Sequence, residues 1–414
     1  VAGATKEESV KRGKISAIDV GTTKICTIMA EALGDEGIRV LGVGVVPSHG
    51  LHKGLVLSIS EARESVRQSV RIAEQMAGRK LESAYVGVTG RHITSVNKTG
   101  TISITHNNQI VYPGDMKRVL DVARTVKVPS DQRLLHVIPR DYTVDGQQGV
   151  KNPVGMHGMR LDVETHIVTA ATTSVQNLTK CIRSIGIEVE DLVMESLASA
   201  EAVLEPEEKK DGVLLADIGG GTTDIALFKD DTIYHTSVLP VAGYQVTRDI
   251  SIGLGITYEL AEEMKKRYGD VTPREKEKNG KTSKEISVTG DGHSVSYNDL
   301  SEIIRVRVEE LLKLITMELP QTDFRKLIPA GLVITGGVAN LPGIAELGQK
   351  VTHMPVRLGL PMKLSGVSEI LDNPAHATGI GLLLWKLKND DTQSPKVTDK
   401  GINGLIKKML RLLS

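Results

Sequence analysis

The segments Ile18-Asp19-Val20-Gly21-Thr22-Thr23-Lys24-Ile25 and Ala216-Asp217-Ile218-Gly219-Gly220-Gly221-Thr222-Thr223-Asp224-Ile225 are nearly one turn written twice, about a domain apart. Each follows a short apolar run, 14–18 or 212–216, and precedes another, 25–30 or 225–228. The pattern predicts strand, tight turn, strand. Glycine lets the turn backbone approach an anion with no Cβ in the way, so successive N–H groups and threonine hydroxyls can converge on phosphate oxygens. A carboxylate beside phosphates is repulsive unless a cation bridges them, which Mg²⁺ does through one or two carboxylates plus phosphate oxygens. A metal-nucleotide is the expected ligand. Asp-x-Gly-x-Thr is also ordinary hairpin chemistry; the repetition favours the phosphate reading and implies two similar domains facing one ligand.

Outward from these turns, a chain of 414 residues suggests two or three domains with ample core. Apolar residues make up 40% and charged residues 25%, an ordinary balance for a soluble globular chain. With 51 basic against 51 acidic side chains there is no global field to hold DNA or an anionic membrane, so any such attraction must be local. Aromatics at 3% leave little for stacking on single-stranded nucleic acid, and no nucleic-acid partner is expected. Cys26 and Cys181 sit in apolar, element-like contexts and read as buried thiols, with no disulfide framework or metal site. Residues 1–14 are polar without the hydrophobic stretch of a signal peptide, and no apolar run approaches the roughly 20 residues that span a bilayer. The body is expected in the cytoplasm.

Along the chain, residues 14–79 read as the first hairpin, a strand at 39–46 and an amphipathic helix at 60–76, with Ala62, Val66, Val70, Ala73 and Met76 near helical period. Residues 82–163 differ, with strands at 83–89, 101–104 and 134–142, a helix at 114–126 and a turn-rich segment at 145–158. They read as an inserted subdomain, after which strand 166–171, helix 174–184 and strand 189–193 resume the earlier order. The second half opens at 212, continues its hairpin through 232–239 and carries helices at 245–252 and 257–268. Residues 270–294 mix lysines with glycines and read as a mobile, β-containing surface region. A helix at 297–319, a strand at 331–334 and a helix at 344–351 follow. Strands alternate with helices in both halves, which favours an α/β architecture.

Thr335-Gly336-Gly337, with Asn340 following, sits at a strand end, where open α/β sheets place ligands. Joined with the two turns it suits the nucleoside end of the same molecule, although such connections are common without ligands. Glu262 and Lys265, three apart on one helix, share a face that can flank a purine and ribose or simply be solvated. Residues 194–200 begin a helix of small side chains that lets two helices approach closely, as an interdomain hinge would need. Glu195 at its head could orient a water towards a terminal phosphate, or could simply complement the helix dipole. The residues alone leave both readings open.

Residues 388–400 are polar, with Asp-Asp, Ser-Pro and several lysines, and read as a disordered linker. Beyond it Ile402, Leu405, Ile406, Met409, Leu410, Leu412 and Leu413 fall within an arc of roughly 160° when plotted at about 100° per residue. Lys407, Lys408 and Arg411 fall opposite. A short basic amphipathic helix on a tether can lie in the interface of an anionic membrane, its leucines at acyl-chain depth; the alternative is a terminal helix docked on the protein's own core or on a partner. One such tail binds weakly, whereas a filament presenting many gains by effective concentration.

Taken in order, the Asp19 hairpin, the Glu195 helix, the Asp217 hairpin and the Gly336-Gly337 turn resemble the actin and heat-shock-chaperone ATPase superfamily. Within it, Leu135-His136-Val137-Ile138-Pro139, Asp145-Gly146-Gln147 and Asn152-Pro153-Val154-Gly155-Met156 look like the FtsA family of bacterial cell-division proteins, a likeness that runs over roughly residues 14–386 and the tail. The resemblance implies an α/β, actin-like ATPase fold with two facing lobes, duplicated β-hairpin phosphate loops and a subdomain inserted in the first lobe. The division it implies is 14–82 and 166–200 for the first lobe's core and 83–165 for the insert. The second lobe then comprises 201–260 and 327–387, with a return helix, around a small subdomain at 261–326; 388–400 is the linker and 401–414 the membrane helix.

The same resemblance implies ATP and Mg²⁺ as cofactors. Asp19, Gly21, Thr22, Thr23 and Lys24 match the first phosphate loop, and Gly219, Gly220, Gly221, Thr222, Thr223 and Asp224 the second. Gly243, Glu262, Lys265, Gly336, Gly337 and Asn340 are the remaining cofactor contacts, Glu195 and Asp217 the catalytic candidates, and Asp19 and Asp217 the metal carboxylates, acting through water. Ile402, Leu405, Ile406, Lys407, Lys408, Met409, Leu410, Arg411 and Leu413 would meet the membrane. Implied partners are FtsZ, contacted by about 260–326, further copies of the chain, an anionic membrane and other division proteins, at the cytoplasmic face of the division site. Hydrolysis would be slow or absent. A sugar kinase or chaperone-type ATPase on the same scaffold, or a pilus-assembly actin homologue, is the competing reading.

Overall fold

The computed structural model describes residues 13–34, 37–125, 128–272, 285–287, 294–319 and 327–393. Two sheets carry the fold. The first runs Glu188–Met194, Ser83–Val88, Gly13–Val20, Lys24–Ala32, Ile38–Pro47 and the short Ser365–Gly366, side by side in that order. The second runs Val356–Leu358, Leu332–Thr335, Val213–Ile218, Thr223–Lys229 and Thr232–Leu239. Apart from Ser365–Gly366 the plan is the same in both: three antiparallel strands joined in sequence, then two parallel strands added beside the first. The duplication seen in the turns extends to the whole sheet.

The second sheet is buried on both faces, which is why Val213–Ile218 reads as a continuous apolar run. Side chains alternate across it: Val213 and Leu215 join the core shared with the first lobe, whereas Leu214, Ala216 and Ile218 join the core beneath the outer helices. The inner layer between the sheets is a pair of helices, Glu195–Val203 and Ala377–Gln393. The small residues expected to allow close approach do so, since a Cβ on Gly381 would lie 1.8 Å from the Ala198 carbonyl oxygen. Helices Ile59–Ala77 and Thr172–Arg183 cover the far face of the first sheet, and Gly243–Leu254, Tyr297–Met317 and Ile344–Thr352 serve the second lobe. Ile59–Ala77 is bounded by a Ser58 side-chain cap and by Gly78 in the left-handed region. Both cysteines are buried, and burial pushes the Cys26 thiol up to about 12.

The insert is a four-stranded sheet, Ile93–Ser103, Arg160–Ala171, Gln132–Val144 and Gln147–Val150, backed by helix Pro113–Arg124 around Val111, Val119, Leu161 and Val163. Its boundaries differ from the sequence reading. The strand at 83–88, expected to open the insert, pairs in parallel with Gly13–Val20 and Glu188–Met194, because its Ala84 and Val86 fill the first lobe's core. Residues 166–171, expected to resume the lobe core, are the end of the insert strand Arg160–Ala171, but their Val168 and Ala170 side chains do join the first lobe's core. The insert also reaches the second lobe: Ser95 Oγ donates to the Thr236 carbonyl at 2.9 Å, Asn97 Nδ2 to the Tyr234 carbonyl at 3.2 Å, and His166 Nε2 lies 2.9 Å from Thr236 Oγ1.

At the far end of the chain, helix Ala377–Gln393 runs through 388–393, which the sequence reading gave to a linker; the alternation that ends the apolar stripe does not end the backbone hydrogen bonding. Residues 394–400, the amphipathic segment 401–414 and most of 273–293 lie outside the described residues, as do 320–326. Among the described residues no helix is long and apolar enough to cross a membrane.

Candidate functional site

Matching hydrogen bonds close the two turns: Gly21 N donates to Lys24 O at 3.0 Å and Gly219 N to Thr222 O at 2.9 Å. The turns meet tip to tip. A Cβ on Gly220 would lie 2.3 Å from Thr23 Cγ2, and one on Gly221 would lie 2.5 Å from Thr22 Oγ1, so close approach demands glycine at both. In each lobe the segment after the third strand buttresses the turn. In the first, Ser48 N donates to Thr23 O at 3.1 Å and Gly54 N to Thr22 Oγ1 at 3.2 Å. In the second, Gly243 N and Tyr244 N, at the start of helix Gly243–Leu254, donate to Gly219 O and Gly220 O at 3.1 and 2.7 Å. Two helix-terminal amides that would otherwise lack partners thereby fix the turn.

Two cavities adjoin at this junction. The smaller, about 70 Å³, is walled in part by Asp19, Gly21, Thr22, Glu195, Asp217 and Thr222, with Thr89, Gly221, Gly336 and Thr378 also lining it. The larger, about 400 Å³, is walled by Gly243, Tyr244, Tyr258, Glu262, Lys265 and Asn340. Thr23, Lys24, Gly219, Gly220 and Gly337 border both. A small polar chamber opening into one of ligand size suits a molecule with a compact charged end and a bulkier body.

Buried carboxylates dominate the smaller chamber. Asp217 accepts hydrogen bonds from Ser199 Oγ and from Thr378 Oγ1 at 3.0 Å; burial still lifts its pKa above the ordinary carboxylate value. Asp224 accepts from Thr89 Oγ1 at 2.7 Å, a bond between lobes, and burial pushes it to about 8. Glu195 is raised well above its usual range by burial and by the charges of Asp224, Asp19 and Asp217, and its Oε1 is buried with no hydrogen-bond partner among the described residues. Against them stands Lys24, whose Nζ lies 3.2 Å from Asp19 Oδ2; burial opposes its charge, but Asp19, Cys26 and Asp217 outweigh that and hold its pKa high.

A bound cation would favour the ionised forms of these crowded, proton-retaining carboxyls. Among the described residues no three His, Cys, Asp or Glu side chains are arranged to hold a metal by themselves. A cation here would take phosphate oxygens and water for the rest of its shell, which is the habit of Mg²⁺. The orphaned Glu195 oxygen and the glycine-lined gap fit a metal-phosphate group.

In the larger cavity Lys265 Nζ lies 2.6 Å from Glu262 Oε2 and 2.7 Å from Thr247 Oγ1. Burial lowers the Lys265 pKa against the pull of Glu262, while Glu262, penalised by burial too, is held below the usual range by Lys265. The Tyr244 and Tyr258 rings stand 5.4 Å apart. Gly336 takes φ +85°, a conformation suited to glycine, and Asn340 Nδ2 bonds Gly337 O at 3.1 Å and Asn373 Oδ1 at 3.0 Å.

The structure thus brings the sequence-predicted residues of both hairpins, Glu195, Glu262, Lys265, Gly243 and the Gly336 turn to one junction, with two exceptions. Thr223 lines neither cavity, because it opens the strand Thr223–Lys229 and spends its hydroxyl on Val241 O at 2.7 Å. Asp224, the next residue, sits behind the chamber under Thr89. The predicted membrane residues lie outside the described chain. Sequence reasoning missed Thr89, Tyr244, Tyr258 and the segment 373–378 at the head of helix Ala377–Gln393, which supplies Asn373, His376 and Thr378. Asn373-Pro374 ahead of an apolar helix was the available signal, an ordinary helix-start signature.

A family model described as Cell division protein FtsA matches residues 214–381, and one described as SHS2 domain inserted in FTSA matches 90–169, a range that also leaves Ser83–Val88 to the lobe. The Cell division protein FtsA of Pseudomonas aeruginosa is 43% identical over 394 residues, 94% of each chain. Among solved structures, the PilM-PilN type IV pilus biogenesis complex superposes with a TM-score of 0.64 at 17% identity, over 90% of this chain and 98% of that one. MreB 5 of Spiroplasma citri bound to AMPPNP gives 0.55 at 14%, over 92% and 99%. At such identities these structures speak to the fold, which is actin-like.

Proposed function

The chain belongs to the FtsA family of cell-division proteins, and from that premise we propose that it binds ATP with Mg²⁺ between its lobes and tethers FtsZ filaments to the cytoplasmic face of the membrane at the division site. The observation that carries the nucleotide reading is the junction itself: two equivalent turns abut beside a small acidic chamber and a larger cavity. Phosphates would take amides and hydroxyls from Thr22, Thr23, Gly220, Gly221 and Thr222, with Lys24 neutralising charge. Mg²⁺ would supply charge to the phosphate oxygens, reached through water from Asp19 and Asp217. Glu195 Oε1 offers an acceptor that can hold a water at the chamber's end; its raised pKa favours the neutral acid until a cation is present, which favours slow turnover. Glu262, Lys265 and Asn340 would hold the nucleoside in the larger cavity. Because both lobes contribute, occupancy would bias their closure and so self-assembly.

The membrane reading rests on the amphipathic arc of 401–414 and its opposed Lys407, Lys408 and Arg411. Calorimetric titration with Mg-ATP tests the first half: micromolar binding that Thr23→Val and Gly220→Val both abolish is expected, and heats unchanged by either would sink it. Co-sedimentation with anionic liposomes, with and without 401–414, tests the second; equal pelleting of the two forms removes it. Capture of FtsZ by the full chain separates a division tether from a pilus-assembly homologue, and rapid acceptor-dependent turnover of ATP would favour a sugar kinase.

A further inference from the structure

At the end of the first sheet remote from the paired turns, a separate cavity of about 60 Å³ is bounded by Lys14, Ser16, Arg79, Lys80, Glu82 and Ser83. Strand geometry assembles it. Lys14 and Ser16, two apart, share one face of Gly13–Val20; Ser83 opens the neighbouring parallel strand; and Arg79 and Lys80 follow the Gly78 terminus of helix Ile59–Ala77. Arg79 is anchored through Nη2, which donates to the Ala30 carbonyl at 3.1 Å, while its Nε is buried with no acceptor among the described residues. A buried guanidinium N–H without an acceptor is costly unless a ligand supplies one.

The charges around it are unevenly spent. Lys80 is committed to Glu74 at 2.7 Å, and Glu190 accepts from Ser83 Oγ and from Lys386 Nζ at 2.9 Å. Glu82 is the carboxylate that borders the cavity, set against Lys14 and Arg79. An anion in the cavity would meet Lys14, Arg79 and Ser16 side chains that all border it, and guanidinium matches phosphate geometry especially well.

We propose that this cavity is a phosphate-binding site, taking either a free phosphate group or the head group of an anionic phospholipid. The Ser83–Glu190–Lys386 chain ties it to helix Ala377–Gln393, so it lies towards the end of the lobe where that helix leads into the tail. In the phospholipid case the proposal rests on the reading of the tail as a membrane anchor, and the pocket would set how the body sits against the surface once the tail has inserted.

The test uses the full chain. Inorganic phosphate is titrated calorimetrically into the protein and into Lys14→Glu and Arg79→Gln, and all three are floated with phosphatidylglycerol or phosphatidylcholine vesicles. Each variant should weaken phosphate binding about fivefold or more. Lys14 is exposed, so its variant remains informative should Arg79→Gln fail to fold. Reduced flotation on phosphatidylglycerol alone identifies the lipid as the source, and loss of phosphate binding with unchanged flotation identifies the free anion. Phosphate heats identical in the parent chain and Lys14→Glu place any binding in the interlobe cleft and overturn the proposal. Deleting 401–414 should leave the phosphate isotherm intact while abolishing flotation, which separates failure of the pocket from failure of the tail.

Discussion

The two lobes share a five-strand plan but admit extra chain at different points. The first takes its four-stranded insert after its fourth strand, between Ser83–Val88 and Thr172–Arg183; the second, where the first has the single helix Ile59–Ala77 between its third and fourth strands, follows Gly243–Leu254 with the added helices Tyr258–Tyr268 and Tyr297–Met317. Neither addition interrupts the hairpin that carries a turn. The turns have also diverged in complementary ways. The first pairs its aspartate with Lys24 and presents threonines; the second surrounds its aspartate with the hydroxyls of Ser199 and Thr378 and is stripped to three glycines. One turn supplies charge, and the other must be slim because threonines stand directly against it. Elaboration is tolerated in connections, while the junction constrains both sides at once.

The largest effect that would sharpen this contrast is at the helix pair both lobes share. Gly381→Leu places a side chain against the Ala198 backbone, and a loss of about 3 kcal/mol is expected in denaturant unfolding; a midpoint unchanged from the parent would show that the lobes do not depend on this approach. Next comes the slimness of the second turn. Gly220→Ala, whose new methyl meets Thr23, should cost about 1–3 kcal/mol of Mg-ATP binding or stability.

A smaller effect tests the inter-lobe carboxylate. Native Asp224 keeps its proton to about 8, whereas an unfolded aspartate loses it near 4. The native state therefore holds more protons between those values, and the stability of the ligand-free chain should fall as pH rises through that window. Asp224→Asn should flatten the decline in melting temperature, and a slope identical to the parent's would remove Asp224 from the account. Smallest of all is Gly337→Ala, which borders both cavities with open space at its Cβ and should shift stability by less than about 0.5 kcal/mol. If it matched Gly220→Ala, close approach would not be what distinguishes the glycines.

Both hairpins were legible in the sequence because glycine-threonine turns between β-branched runs are local signals, and their repetition announced the duplicated sheets. The insert's edges were not, because Ser83–Val88 is apolar enough for either sheet and only its parallel pairing with Gly13–Val20 assigns it. Thr223 was misplaced because the strand begins one residue before the turn motif ends. The 373–378 segment escaped because its contribution depends on the chain returning from the second lobe, which no local pattern records. Its Thr378 hydroxyl meets an aspartate far away in sequence.

That return has a consequence for biosynthesis. Ser365–Gly366 rejoins the first sheet, and Ala377–Gln393 packs back between the lobes, so the second lobe is an excursion made from within the first. On the ribosome every strand of the second sheet emerges before the helix that completes the first lobe. The later-made lobe can close first, while Cys26 and Ile28 wait for Gly379 to cover them. Nascent chains stalled between these events would be the form most dependent on chaperones.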